Sequence, residues 1–130
     1  MSTTPTAIPT EQQESAAILT ALASYPDAQF KFNDNRIKLE TGVAGDRNVM
    51  ITALVATKNT AADTKTALSI LKAVGSALAS VDVDRVIVDV RAGSATFSTT
   101  SVVLYFAKKD VQEYATGKLT DAQMLARKEK

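Results

Sequence analysis

The chain has 130 residues, of which 45 % are hydrophobic and 22 % charged, and its formal net charge at pH 7 is +1. This composition is that of one soluble globular domain, and it lacks the basic excess of a dedicated nucleic-acid-binding protein. The chain contains no Cys and no His, which excludes disulfides, thiol and imidazole catalysis and the usual zinc sites.

The N-terminal segment has the composition of a tail. Residues 1–9 contain Pro5 and Pro9 among Ser and Thr, so we expect a disordered tail followed by one α+β domain over 10–130. The segment lacks the apolar stretch of a secretory signal, and the longest apolar runs fall far short of the roughly 20 residues that span a bilayer. We therefore expect a cytoplasmic protein that makes no contact with a membrane.

The first half of the domain predicts a helix and three strands. A capping box at Thr10–Gln13 and apolar residues at helical spacing indicate the helix. Two stretches of alternating apolar and polar residues, joined by a turn of Asn and Asp, predict a hairpin, and a more apolar third strand follows a glycine-containing loop. The predicted elements are a helix over 11–24 and strands over 28–33, 36–41 and 49–57.

The second half predicts a long helix, a second hairpin and two short helices. Asn59 provides an N-cap, and Leu68 and Leu71 recur at helical spacing. Gly75 lies on the apolar face, where the missing side chain either admits a neighbouring element or merely lowers helix propensity. Gly117 is expected to end the first short helix. The predicted elements are a helix over 61–79, strands over 81–91 and 96–107, and helices that open with capping boxes at 110–113 and 120–123.

Together these elements predict the order α-β-β-β-α-β-β-α-α. This order indicates an α+β domain with a single five-stranded, mostly antiparallel sheet and helices on one face. Because aromatic residues make up only 5 % of the chain, the core is expected to consist mainly of Val, Ile, Leu and Ala. Such side chains bury little area each, which favours additional burial by self-association.

No cluster of residues forms a catalytic or metal-binding signature. Asp82 and Asp84 share a strand face and fit either a divalent ion or a solvated strand start beside Arg85. Ser69 and Lys72 have the spacing of a Ser-x-x-Lys motif, but neither of its companion motifs is present. We therefore expect no enzyme activity, no catalytic residue, no metal and no cofactor, with a ligand pocket assembled by the fold as the alternative.

Charged and apolar residues alternate along the strands, so one set is expected on the sheet face that the helices leave free. The candidate binding residues on that face are Lys31, Arg36, Lys38, Arg85, Ile87, Arg91 and Tyr105. With Val103, the apolar members Ile87 and Tyr105 offer surface that a second copy or another protein would bury. Alternatively, the basic and aromatic members bind single-stranded nucleic acid by phosphate contacts and stacking.

The predicted element order is similar to that of the small dimeric chaperones that hold type III secretion effectors. Those chaperones are similar in length and dimerise through a helix and the sheet, so the resemblance implies a homodimer that holds another protein. The function predicted from the sequence is therefore a non-enzymatic protein-interaction module, a homodimer of chaperone-like or adaptor type. A nucleic-acid-binding module with a basic sheet face is the alternative.

Overall fold

A computed structural model describes residues 11–22, 37–41, 45–94 and 96–129 of the chain. The helices are α1 (Glu11–Leu22), α2 (Thr60–Val74), α3 (Lys108–Ala115) and α4 (Asp121–Ala126), and a 3-10 segment (Gly75–Ser80) continues α2. The strands are β1 (Ile37–Thr41), β2 (Arg47–Val55), β3 (Arg85–Gly93) and β4 (Ser98–Ala107). The predicted tail at 1–9 and the predicted strand at 28–33 lie outside the described residues.

Within the described residues, the sheet has four strands in the order β1-β2-β3-β4. The outer pairs, β1 with β2 and β3 with β4, are antiparallel, whereas the central pair of β2 and β3 is parallel. The prediction of a five-stranded, mostly antiparallel sheet is therefore wrong: the fold is α+β with a four-stranded mixed sheet. The reason lies in α2, because a helix between two neighbouring strands carries the chain back along the sheet and makes the second strand parallel to the first.

One face of the sheet and all four helices share a single hydrophobic core. On β3 the alternate residues Val86, Val88 and Val90 are fully buried, as the alternation in the sequence predicts. They form one cluster with residues of every helix, among them Ile18, Leu22, Ile70, Leu71, Val74, Val111, Tyr114 and Met124. At about 25 cal/mol per Å² of apolar surface removed from water, this layer of helix on sheet is the main source of stability.

Gly75 marks the closest approach of α3 to the end of α2. A Cβ at Gly75 would overlap the Cβ of Ala115 and would lie 3.1 Å from the carbonyl oxygen of Val111. This confirms the interpretation in which the missing side chain admits a neighbouring element. The α-helical bonding of α2 also changes to a 3-10 segment at this residue.

Short capping motifs define the two C-terminal helices. Gly117, with φ +84°, ends α3 as predicted, and two backbone bonds to the last turn complete a Schellman motif. The predicted capping box of Thr120 and Gln123 is confirmed in both directions at the start of α4. The predicted box at 110–113 is wrong, because α3 already begins at Lys108, directly after β4.

Candidate interaction surface

The second face of the sheet carries the strand residues that alternate with those of the core. The strand register aligns them in rows: Lys38, Met50, Ile87 and Tyr105 lie side by side across the four strands, and Thr52, Asp89 and Val103 form the next row. We call this surface the outer face and define it by Lys38, Glu40, Asn48, Met50, Thr52, Leu54, Arg85, Ile87, Asp89, Arg91, Val103 and Tyr105. None of these residues belongs to the core cluster.

The centre of the outer face is apolar. Ile87 is only 4 % exposed although it lies outside the core, and Tyr105 beside it is 39 % exposed. Met50, on the other side of Ile87, is half-buried, as are Leu54 and Val103. Sequence reasoning missed Met50, because its strand is apolar on both faces and only the register with β1 and β3 reveals which side chains meet.

Most of the predicted binding residues lie on this surface. Lys38, Ile87 and Tyr105 share one row, and Arg85 lies beside that row at the start of β3. Arg91 is also on β3 but lies toward the β3–β4 turn. The remaining two predicted residues, Lys31 and Arg36, lie outside the described residues.

Arg85 is held between two carboxylates. Its Nε donates to both carboxylate oxygens of Glu129, at 2.8 and 3.1 Å, and its Nη1 donates to Oδ2 of Asp46 at 2.5 Å. These contacts raise the pKa of Arg85. The hydrogen bond that Arg85 donates to Glu129 contributes most, and the negative charge of Glu129 contributes next. The side chain is 40 % exposed, so water screens the pair. No signal in the sequence links these residues, which are far apart along the chain.

Glu129 reaches Arg85 because the residues after α4 lie along the edge of β4 that no other described strand pairs with. We call residues 127–129 the C-terminal segment. Within it, the backbone N–H of Glu129 donates to the carbonyl oxygen of Tyr105 at 2.8 Å, forming an antiparallel bridge. Arg127 anchors the segment to α3 through Asp110, 2.7 Å away. The sheet therefore gains a short additional strand contact beside the apolar row.

Arg91 is engaged within the second hairpin. Its guanidinium lies 3.5 Å from Asp89 and donates to the hydroxyls of Ser98 and Thr100 at 2.9 and 3.0 Å. The outer face thus combines Arg91, Arg85 and Lys38 with several carboxylates. Its charges are mixed rather than basic.

Two polar acceptors on the outer face lack a partner. Among the described residues, the buried side-chain atoms without a hydrogen bond are Oδ1 of Asn48 and Oδ1 of Asp89. Both residues alternate with core residues on β2 and β3 and so face outward. Buried polar groups are normally satisfied, so these two atoms are exceptions.

Another arginine, Arg47, faces the helix side of the sheet. Its Nη2 donates to Glu14 at 3.1 Å, and its Nη1 donates to the backbone oxygen of Asp82 at 2.7 Å. Glu14 is fully buried and also accepts the backbone N–H of Asp82. This network joins α1 to the start of β2 and to the residues before β3, which makes it a structural clamp.

The residues considered for metal or nucleophilic chemistry have other contacts. Oδ2 of Asp84 accepts the backbone N–H of Arg47 at 2.9 Å, and the ammonium of Lys72 lies 5.6 Å from the centre of the Tyr114 ring. Within the described residues, no group of three or more potential ligands is placed to hold a metal ion. In the same part of the chain, no helix is both long and apolar enough to traverse a bilayer.

Comparison with protein-family models, with curated proteins and with solved structures found no match to this chain. The geometry of the outer face is therefore the basis for proposing a function.

Proposed function

We propose that this chain is a non-enzymatic protein-interaction module and that the outer face is its binding surface. The observation that carries the proposal is the row of Met50, Ile87 and Tyr105. These side chains are apolar and adjacent, and they lie outside the helix-side cluster. Ile87 is buried, so half-buried Met50 and exposed Tyr105 are the members that a partner would contact. An apolar patch with a polar rim is the usual composition of a protein-binding surface.

Two polar side chains of the outer face support a protein partner. The unpaired acceptors of Asn48 and Asp89 flank the apolar row, and both atoms are buried. A buried acceptor without a hydrogen bond costs about 1–3 kcal/mol. A partner recovers this energy when Asn48 or Asp89 turns toward an N–H group that the partner presents.

The charge distribution is compatible with a second copy as the partner. Lys38 and Glu40 lie two residues apart on the same side of β1, so this edge carries both signs. Arg85 and Arg91 are each matched by a carboxylate. Two identical faces of mixed charge do not repel each other at long range, and isologous dimers are the commonest assemblies. We therefore propose a homodimer as the first partner to test.

The same ion pairs weaken the nucleic-acid alternative. A phosphate that approached Arg85 would have to displace Glu129 or Asp46, both within hydrogen-bonding distance of the guanidinium. Affinity for nucleic acid arises mainly from uncompensated basic groups. Among the described residues, no contact of the outer face favours this alternative over a protein partner.

Native mass spectrometry of the protein purified gently from the cells that make it tests the proposal. We expect a species of about twice the chain mass of 13.8 kDa, or one that carries a second polypeptide. Tyr105→Lys should abolish that species, because it places a charge in the apolar row. The control is Phe97→Lys in the β3–β4 turn. Phe97 is a large apolar residue that is 78 % exposed, and its substitution should leave the assembly intact. A bare monomer for the unmodified chain would contradict the proposal.

A further inference from the structure

The C-terminal segment contacts the sheet in the way that a bound peptide does. Glu129 donates its backbone N–H to the carbonyl of Tyr105 and places both carboxylate oxygens within 3.1 Å of Nε of Arg85. Peptides that add to a sheet edge combine these two kinds of contact: main-chain hydrogen bonds for affinity and a side-chain subsite for specificity. Arginine and carboxylate form a charge-assisted pair with directional geometry.

The edge of β4 can accept more than the single bond that Glu129 makes. Strand alternation directs the N–H and C=O of Val103 to the same side as the carbonyl of Tyr105. Among the described residues, only Glu129 pairs with this edge. The strand Ser98–Ala107 also contains no charged residue and no proline, although these are the features that most often protect an edge.

A register irregularity sets the far limit of the edge. It falls opposite the step from Val90 to Arg91 on β3, where a bulge twists the strand and interrupts regular pairing. The usable edge therefore runs from Tyr105 toward Val102. In an antiparallel segment whose glutamate lies opposite Tyr105, the residues after the glutamate would pair with the edge between Tyr105 and Val102.

The contact made by the C-terminal segment is exchangeable. The side chain of Glu129 is 34 % exposed and that of Arg85 is 40 % exposed, and ion pairs that are open to water are worth little. Among the described residues, the backbone bond to Tyr105 is likewise a single bridge rather than a ladder. A segment that made the same two contacts and paired with Val103 as well would make more bonds to the edge than Glu129 does.

From this geometry we infer that the β4 edge and Arg85 form a binding site for an extended, glutamate-containing segment of a partner protein. Glu129 occupies this site in cis and thereby restrains binding. The inference rests on the proposed function, because it states the chemistry of the partner of the same surface. The chemistry of the partner segment follows from the C-terminal segment, which lies on the site. Its backbone N–H and its glutamate carboxylate show which groups the site accepts.

Titration of the full-length chain with synthetic peptides, followed by amide and guanidinium NMR signals, tests this inference. The probe is a capped hexapeptide with one glutamate followed by alternating Val and Thr, and the matched control peptide has Gln in place of the glutamate. In the Glu129→Ala chain we expect the glutamate peptide to shift the signals of Val103 and of Arg85 Nε–H. The peptide should bind this variant about tenfold more tightly than the unmodified chain, since a tethered competitor acts at millimolar effective concentration.

Specificity should reside in Arg85. The Glu129→Ala chain should prefer the glutamate peptide to the Gln peptide, and the Glu129→Ala/Arg85→Gln chain should bind both equally. Three results would overturn the inference. The first is equal binding of the two peptides by Glu129→Ala, the second is equal binding of the glutamate peptide by Glu129→Ala and the unmodified chain, and the third is no binding of either peptide at millimolar concentration. The same spectra report whether each variant is folded.

Two further outcomes separate this inference from the proposed function. If the assembly seen by native mass spectrometry disappears in Tyr105→Lys but the peptides fail to bind, the outer face remains supported as the binding surface. The β4 edge is then not a peptide site. If Glu129→Ala forms a dimer that the unmodified chain does not form, shown by signals that broaden with protein concentration in the variant alone, the occupant is a second copy and the inference is overturned. Tighter peptide binding by Glu129→Ala than by the unmodified chain supports restraint in cis.

Discussion

Two arginines open neighbouring strands of this sheet, and their carboxylate partners differ in exposure. Arg47 begins β2 and faces the helices, where its partner Glu14 is fully buried. Arg85 begins β3 and lies on the outer face, where its partner Glu129 is 34 % exposed. The same chemical pair therefore occurs both inside the fold and at its surface.

The difference in burial decides what each pair can do. A buried carboxylate that loses its arginine has no water to replace it, so Glu14 binds Arg47 as part of the folded state. An exposed carboxylate exchanges its partner for water at little cost. The Arg47–Glu14 pair accordingly stabilises the fold, whereas the Arg85–Glu129 pair on the outer face can exchange partners.

The largest expected effect comes from removing the buried arginine. Arg47→Ala leaves the carboxylate of Glu14 buried and without its cation, and it also removes the bond to the backbone of Asp82. We expect a loss of about 2–3 kcal/mol in the free energy of unfolding, measured by urea denaturation; the side chain is partly exposed, which places this value at the lower end of the range for buried pairs. The control Glu14→Gln removes the charge and should cost less. A loss below about 1 kcal/mol for Arg47→Ala would contradict the structural role.

The next effect tests how tightly the helix side is packed. Gly75→Ala should destabilise the fold by about 2 kcal/mol, because the new methyl group overlaps Ala115 on α3 and the gain in helix propensity is smaller than that. The double variant Gly75→Ala/Ala115→Gly makes room for the methyl group and should recover part of the loss beyond additivity, measured by the same urea denaturation. Stabilisation by Gly75→Ala alone would show that the two elements are not in close contact.

Two tyrosines extend the comparison to pH. Tyr114 is buried on the helix side, and its hydroxyl donates to Asp121 at 2.5 Å, whereas Tyr105 lies half-exposed on the outer face. Burial, followed by the hydrogen bond and charge of Asp121, raises the pKa of Tyr114 above its ordinary value. A raised pKa in the folded state favours the neutral phenol. The resulting stability is complete below about pH 10, the value of an unfolded tyrosine, and is lost as the pH rises further.

Urea denaturation between pH 9 and 11 checks this prediction. Above about pH 10 the free energy of unfolding should fall more steeply for the unmodified chain than for Tyr114→Phe, by at most about 1.4 kcal/mol per pH unit. At neutral pH the same substitution should cost about 1 kcal/mol, the value of one hydrogen bond. Tyr105→Phe is the matched control for removal of a phenol hydroxyl and should leave the free energy of unfolding at neutral pH unchanged, because Tyr105 is 39 % exposed. Equal slopes for the unmodified chain and Tyr114→Phe would be incompatible with this account.

The smallest expected effect on stability is that of Arg85→Gln. Both carboxylates that face Arg85 are accessible to water, so its removal leaves no buried charge behind. We expect the urea midpoint to remain within experimental error of the unmodified chain while the peptide preference described above is lost. A destabilisation as large as that of Arg47→Ala would remove the distinction between the two arginines.

Local patterns in the sequence predict much of this fold. Alternation separates Val86, Val88 and Val90 from Ile87, the helical stripe places Gly75 on a packed face, and the spacing of Thr120 and Gln123 identifies the capping box. Each of these features depends on residues that are near one another along the chain. The parallel pairing of β2 with β3 depends instead on where α2 returns the chain, and no local pattern of residues encodes that return.

The same limit applies to the candidate site. The sequence predicts that Lys38, Ile87 and Tyr105 share a face, and the register places them in one row. It does not predict the partner of Arg85, because Glu129 comes from the far end of the chain and meets it only after α3 and α4 have packed. The sequence alone suggests that the charge of Arg85 is unpaired, but in the fold Glu129 and Asp46 neutralise it.

The most direct test of the outer face as a binding surface is site-specific photo-crosslinking in the cells that make the protein. A photoreactive phenylalanine analogue replaces Tyr105 in one version of the full-length chain and Phe97 in another, and covalent adducts are identified by mass spectrometry. The account predicts a defined polypeptide adduct at position 105, a second copy of this chain being the first candidate, and none at position 97. Adducts at position 97 alone, or at neither position, would contradict it.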